Sequence, residues 1–198
     1  MIGTTKDELA MQFTALPNFA TLSMEEAGQI CALVTGGPMD DALAFYKSIQ
    51  PDEQPSYLMA NVLGDLGAWY PTVCLAEGRA ARAGAPVYHY VLGWETPVMG
   101  GRFRSPHVLD IPLMFDNVDM MPRFLGDGPE PQRVADQMSD TWIAFARAGR
   151  PDNAAIPRWA SYNSGRRASM FFDVNSKLVE DYKAPIRRFW QDRADATQ

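Results

Sequence analysis

Glu8 and His107 are the two residues of this sequence whose types and settings could together move a proton. Glu8 closes the polar turn 6–8, which follows Ile2-Gly3-Thr4-Thr5, a stretch that reads as the end of a strand. His107 lies inside MGGRFRSPHVLDIPLMFDNVD (99–119), where Gly100-Gly101 and Pro106 specify the backbone of a built loop. Taken alone, His107 reads most plainly as a surface or half-buried loop residue. Paired with an acid it acquires a task. A carboxylate that accepts a hydrogen bond from one imidazole nitrogen fixes the tautomer and steadies the imidazolium, leaving the other nitrogen to take a proton from a hydroxyl nucleophile. Asp110, three residues further on, could orient this loop by hydrogen bonding or serve only as a structural carboxylate.

The remaining candidates carry less. His89, inside Val87-Tyr88-His89-Tyr90-Val91-Leu92, is expected to be a packed or half-exposed strand residue and not a ligand. Two distant histidines do not make a metal site, so no metal is expected. The pairs Gly36-Gly37 and Gly100-Gly101 lack the strand–Gly–helix context of a phosphate cradle and read as helix stop and loop hinge, so no cofactor is expected either. Met120-Met121 could line a substrate pocket, with core filling the commoner use of the residue.

Positioning these side chains falls to a helix-rich chain with few strands. Helices are expected over 9–13, from the Ser23–Glu26 capping box to about Val34, from Asp40 or Asp41 to Ile49, over 132–148 with its stop at Gly149, and over 186–190. The longest helical pattern covers 56–83, with Pro71 expected to kink or break it. Strands are expected near 1–5, 87–92 and 168–174, three at most. That predicts an α/β layout with an under-supplied sheet, a single incomplete domain over 1–198 whose strand edges invite pairing with another chain.

A net charge of −6 and a pI near 4.9 argue against nucleic acid or an anionic membrane surface as partner. Arg166-Arg167 and Arg187-Arg188 are too short for a basic patch and read as solvated. Cys31 and Cys74 read as buried free thiols, with one disulfide between them as the alternative. The start MIGTTKDELAMQF has neither a basic n-region nor an apolar h-region, giving the expectation of a soluble chain, with the cytoplasm favoured.

The words around the candidate pair are more specific than the pair itself. Gly3-Thr4-Thr5-Lys6-Asp7-Glu8 resembles the G-x-x-K-D-E motif of type B carboxylesterases, the family of bacterial para-nitrobenzyl esterases and cholinesterases. His107-Val108-Leu109-Asp110-Ile111-Pro112-Leu113-Met114-Phe115 is similar to that family's H-x-x-E-[IL]-P-x-x-F segment, with Asp110 in place of the usual glutamate. The stretches at 87–90, 142–151 and 157–162 continue the resemblance in order along nearly the whole chain. It implies the C-terminal portion of an α/β-hydrolase fold, in which the chain order is nucleophile, acid, histidine. It further implies Glu8 as triad acid and His107 as triad base. The family's Gly-Glu-Ser-Ala-Gly nucleophile elbow and glycine-rich oxyanion loop have no counterpart here, so no nucleophile is assigned, with Ser105 the first place to look for an unrecognised one.

The expectation is therefore the C-terminal part of a serine carboxylic-ester hydrolase that acts on a small-molecule ester once complemented. Its partner would be the N-terminal part of the same hydrolase, or a second copy through self-association. A non-catalytic cholinesterase-like interaction module and an inactive truncated product are the competing expectations. Ester specificity is not readable from these residues.

Overall fold

In a computed structural model, which describes residues 1–82 and 84–196, the strands gather into one sheet. Its strands are β1 (Ile2–Thr5), β2 (His89–Leu92), β3 (Ser169–Phe172) and β4 (Lys177–Val179), in that spatial order. The first three run parallel, in the register Ile2 to His89 to Ser169, and β4 returns antiparallel on β3. β4 corrects the expectation of three strands at most. Three residues opened by a lysine, half-exposed at Leu178 and Val179, give too short an apolar pattern to stand out in sequence. β2 and β3 are also shorter than the expected 87–92 and 168–174, because residues 87–88, 168 and 173–174 lie outside the strands.

Helices cover both faces, which is why all four residues of β2 are buried. One layer contains α1 (Ala10–Phe13), α2 (Met24–Thr35), α3 (Asp40–Ile49), α4 (Pro55–Gly64) and α5 (Tyr70–Ala80). The other contains α6 (Asp110–Met114), α7 (Pro122–Leu125) and α8 (Glu130–Ala148), and α9 (Ala184–Asp195) returns to the first. Leu43, Tyr46, Leu58, Val62, Ile186 and Trp190 pack together in the first layer. Tyr90, Leu92, Leu113, Met138, Met170 and Phe172 fill the space under the second. No helix among the described residues is long and apolar enough to cross a membrane.

The Ser23–Glu26 capping box is complete, with both reciprocal bonds formed, and α2 stops on Gly36 at φ +75°. The 56–83 pattern forms a continuous helical run interrupted by a π-helical segment, Asp65–Trp69, between α4 and α5; its expected end, Ala83, lies outside the described residues. The interruption falls just before Pro71. A proline has no N–H to give to the preceding turn and its ring presses on the carbonyl four residues back, so one widened turn accommodates it without ending the helix.

Three further expectations are corrected here. Cys74 is exposed on α5, although Cys31 is a buried free thiol as expected. Arg187 is buried at 7 % exposure and makes two hydrogen bonds to Asp181, at 2.7 and 2.9 Å, while Arg167 is half-buried against Glu77. Glu77 comes from a distant segment, and Asp181 lies six residues before Arg187, outside α9, so neither pairing follows from the arginine pairs themselves. Met120 and Met121 are exposed and fill no core.

Candidate active site

The site forms where the chain leaves the C-terminal ends of β1 and β2. Gly3 is required there by contact: a Cβ on it would collide with the carbonyl oxygen and ring of Tyr90 on the neighbouring strand. The tight β1–β2 pairing sets the direction of the following turn, in which Thr5 N–H donates to Glu8 Oε1 at 2.8 Å. The turn is then fastened to the histidine loop from both sides. Asp7 N–H donates to the Ser105 carbonyl at 2.9 Å, and Ser105 N–H donates to Asp7 Oδ2 at 3.2 Å. The Leu92 carbonyl at the end of β2 accepts from both Lys6 N–H and the Ser105 hydroxyl, each at 2.9 Å. Arg104, stacked 3.4 Å over the Tyr57 ring and paired with Glu53, holds the near end of the loop against α4.

This framework brings together residues 99 positions apart. Glu8 Oε2 lies 2.6 Å from His107 Nδ1, and His107 N–H donates to the Glu8 carbonyl at 3.2 Å. The carboxylate can only accept, so Nδ1 carries the proton and Nε2 of the neutral ring is left as an acceptor. Glu8 is nearly buried, whereas the His107 side chain is 61 % exposed. Val108 directly after it sits at φ +66°, an uncommon conformation for a β-branched residue and one that concentrates at functional sites. Both side chains line a cleft of about 550 Å³ with Gly3, Gln12, Gly64 and Gly67, a volume within the range of small-molecule sites.

Asp110 stands in the first turn of α6 and accepts a 2.9 Å hydrogen bond from the Tyr90 hydroxyl. Burial pushes its carboxyl above the usual range, and the nearby Glu8 carboxylate adds to the rise. It is not hydrogen-bonded to His107; it ties the start of α6 to β2. Ser105 is fully buried and its hydroxyl is committed to Leu92, so its place in the site is structural and it offers no nucleophile. Sequence reading missed Asp7, whose two-way bond with Ser105 joins the two loops. The signal was present in the K-D-E word, but nothing local says that the aspartate reaches across to residue 105.

His89, by contrast, is a packed strand residue. It is fully buried, its Nδ1 lies 2.8 Å from Ser169 Oγ on β3, and burial pushes it down from 6.5 to about 4. The folded state therefore declines a proton that the unfolded chain accepts. Stability is at its full value above pH 6.5 and falls as pH drops toward 4, by about 3 kcal/mol for this group. Urea unfolding at pH 6.5 and 4.5 should show a loss that shrinks markedly in His89→Gln; an identical loss in the variant would assign it to the carboxylates instead.

An acid–imidazole pair at the C-terminal ends of parallel strands covered by helices defines the hydrolase class of α/β proteins, and this chain belongs to the carboxylesterase family, whose sequence profile matches residues 39–190. Its particular relatives include esterases and a phenmedipham hydrolase. Phenmedipham hydrolase of Pseudarthrobacter oxydans is 27% identical over 194 residues, covering 93% of this chain and 38% of that protein. The carboxylesterase EST55 of Geobacillus stearothermophilus superimposes with a TM-score of 0.79 at 28% identity, over 95% of this chain and 39% of that one. An esterase of Clostridium hathewayi, described as hydrolysing aliphatic aromatic polyesters, gives 0.61 at 26% identity, over 96% and 36%. The architecture is thus that of an α/β hydrolase with an incomplete sheet, and the chain spans under two fifths of the length of these relatives.

Proposed function

We propose that this chain supplies the acid and base of a serine carboxylic-ester hydrolase, with Glu8 and His107 as two triad members and the serine and oxyanion-hole donors coming from polypeptide outside these 198 residues. The 2.6 Å contact between Glu8 Oε2 and His107 Nδ1, at the mouth of a cleft, carries the reading. In this reading His107 Nε2 takes the serine proton as the hydroxyl attacks the ester carbonyl, then returns it to the leaving alkoxide, while Glu8 steadies the imidazolium. Among the described residues no serine, threonine or cysteine side chain is hydrogen-bonded to His107. β1 has β2 on one side and an unpaired edge on the other, and its Gly3 and Thr4 line the same cleft. Val108, Ile111 and Phe115 leave apolar surface exposed in the segment following His107. Both features suit the docking of a complementary segment that carries the nucleophile.

Co-expression with a polypeptide carrying the Gly-x-Ser-x-Gly elbow of a related esterase tests this. The expected result is a complex whose serine is labelled by a fluorophosphonate probe, with labelling abolished by His107→Ala. A stable complex that takes no label would favour the interaction-module reading. Labelling that survives His107→Ala would remove His107 from the mechanism.

A further inference from the structure

At the other end of the sheet, three buried polar atoms have no partner in the protein: His89 Nε2, Trp69 Nε1 and Tyr162 Oη. Their side chains come from β2, from the π-helical segment and from the loop preceding β3, and all three line one small cavity. Each residue is more than nine-tenths buried, at 0, 2 and 4 % exposure. Leaving such atoms unsatisfied forfeits their hydrogen bonds to water without replacement, so their convergence calls for a shared partner.

Donor and acceptor counting says which partner. Ser169 Oγ lies 3.2 Å from the Arg167 carbonyl, which can only accept, so the serine proton goes there. The serine oxygen then accepts from His89 Nδ1–H at 2.8 Å. The ring is neutral at pH 7, because burial pushes it down to about 4, so Nε2 presents a bare lone pair. The Trp69 indole can only donate, and the Tyr162 hydroxyl can do either. A metal or ammonium ion would face the indole N–H and the Arg167 and Arg187 guanidinium groups, which already pair with the Asp181 carboxylate that also lines the cavity. An anion would face the Nε2 lone pair. A neutral molecule that both donates and accepts satisfies all three atoms. The cavity measures about 10 Å³, which admits one water and nothing larger.

We infer that this cavity binds a single ordered water molecule that donates to His89 Nε2, accepts from Trp69 Nε1 and bonds Tyr162 Oη, tying the π-helical segment to the sheet. The tie has a consequence for the cleft. Gly67 and Ala68 of the same five-residue segment line the cleft of Glu8 and His107. The water therefore anchors one wall of that cleft from behind, whichever chemistry the cleft performs.

A high-resolution crystal structure should show one solvent peak within about 2.6–3.3 Å of His89 Nε2 and of at least one of the other two atoms. A dry cavity, or Tyr162 Oη donating directly to His89 Nε2, would overturn the assignment. In solution, the Trp69 indole proton should show a cross-relaxation peak to a long-lived water; its absence would do the same. Trp69→Phe, which removes the donor and keeps most of the ring, should raise amide hydrogen exchange in the π-helical segment about tenfold while leaving α8 unchanged. Unaltered exchange in that segment would show that the water does not anchor it.

Discussion

Purified by itself, the chain should hydrolyse short-chain p-nitrophenyl esters no faster than its His107→Ala variant. The expectation follows from what the site lacks within these residues. In subtilisin, a serine protease with the same triad logic, removing the serine costs about a millionfold in turnover, and the rate that survives, about 10³–10⁴ over water, comes from the oxyanion hole and substrate binding. No oxyanion hole is identified among the described residues, which leaves the cleft beside Glu8 and His107 without the donors that would hold an ester carbonyl. Glu8 and His107 could act on a water as a general-base pair, a contribution of about 10²–10⁴ only where a substrate is held in line. Once a serine-bearing segment completes the enzyme, the effects should become large. By the same comparison His107→Ala should lower kcat by about 10⁶, and Glu8→Gln by about 10⁴, since the amide can still occupy the acid's place but cannot stabilise an imidazolium. Robust hydrolysis by the lone chain that vanishes in His107→Ala would mean that an unrecognised nucleophile is present. Ser105 is excluded from that role by its buried bond to Leu92.

Much of the architecture was legible because local chemistry and tertiary structure agree. The Ser23–Glu26 box, the Gly36 stop and the apolar stripe of 132–148 are decided within a few residues, and the structure has α2 and α8 there. The acid and histidine words placed Glu8 and His107 at the ends of β1 and β2 before any contact between them was visible. What escaped was decided at long range. β4 exists because β3 offers it a partner, not because Lys177-Leu178-Val179 has a pattern. Asp7 matters because Ser105, 98 residues on, meets it, whereas Arg187 is buried by a nearer event, the turn into α9 that brings Asp181 against it from six residues back. Cys74 sits in an apolar stretch but on the outer side of α5, a distinction that the break in helical phase at the π-helical segment conceals from a simple count of residues.

That same segment is the setting for the largest stability effect expected. Lys183 Nζ lies 2.6 Å from Asp65 Oδ1, 118 residues away, and Asp65 Oδ2 accepts from the Tyr46 hydroxyl at 2.9 Å, which in turn accepts from Trp190 Nε1 at 2.9 Å. Burial opposes the charge on Lys183, yet the Asp65 carboxylate outweighs it and the ammonium is held above its ordinary range. Burial also pushes the Asp65 carboxyl up, with Lys183 as the main opposing influence. The raised Lys183 requires an ionised partner, so the two stand as a buried ion pair at neutral pH. Such a pair adds little over a well-packed apolar pair, but removing one member strands the other. Lys183→Met should therefore cost about 3–5 kcal/mol, read as a shift in the urea midpoint at unchanged slope. Adding Asp65→Asn to that variant should restore most of the loss, because the neutral amide keeps an acceptor for Tyr46 and carries no stranded charge. The rescue isolates the cost of the stranded carboxylate: a double variant no more stable than Lys183→Met would show that the ammonium's contact with the Trp69 ring, and not its pairing with Asp65, holds this corner of the fold.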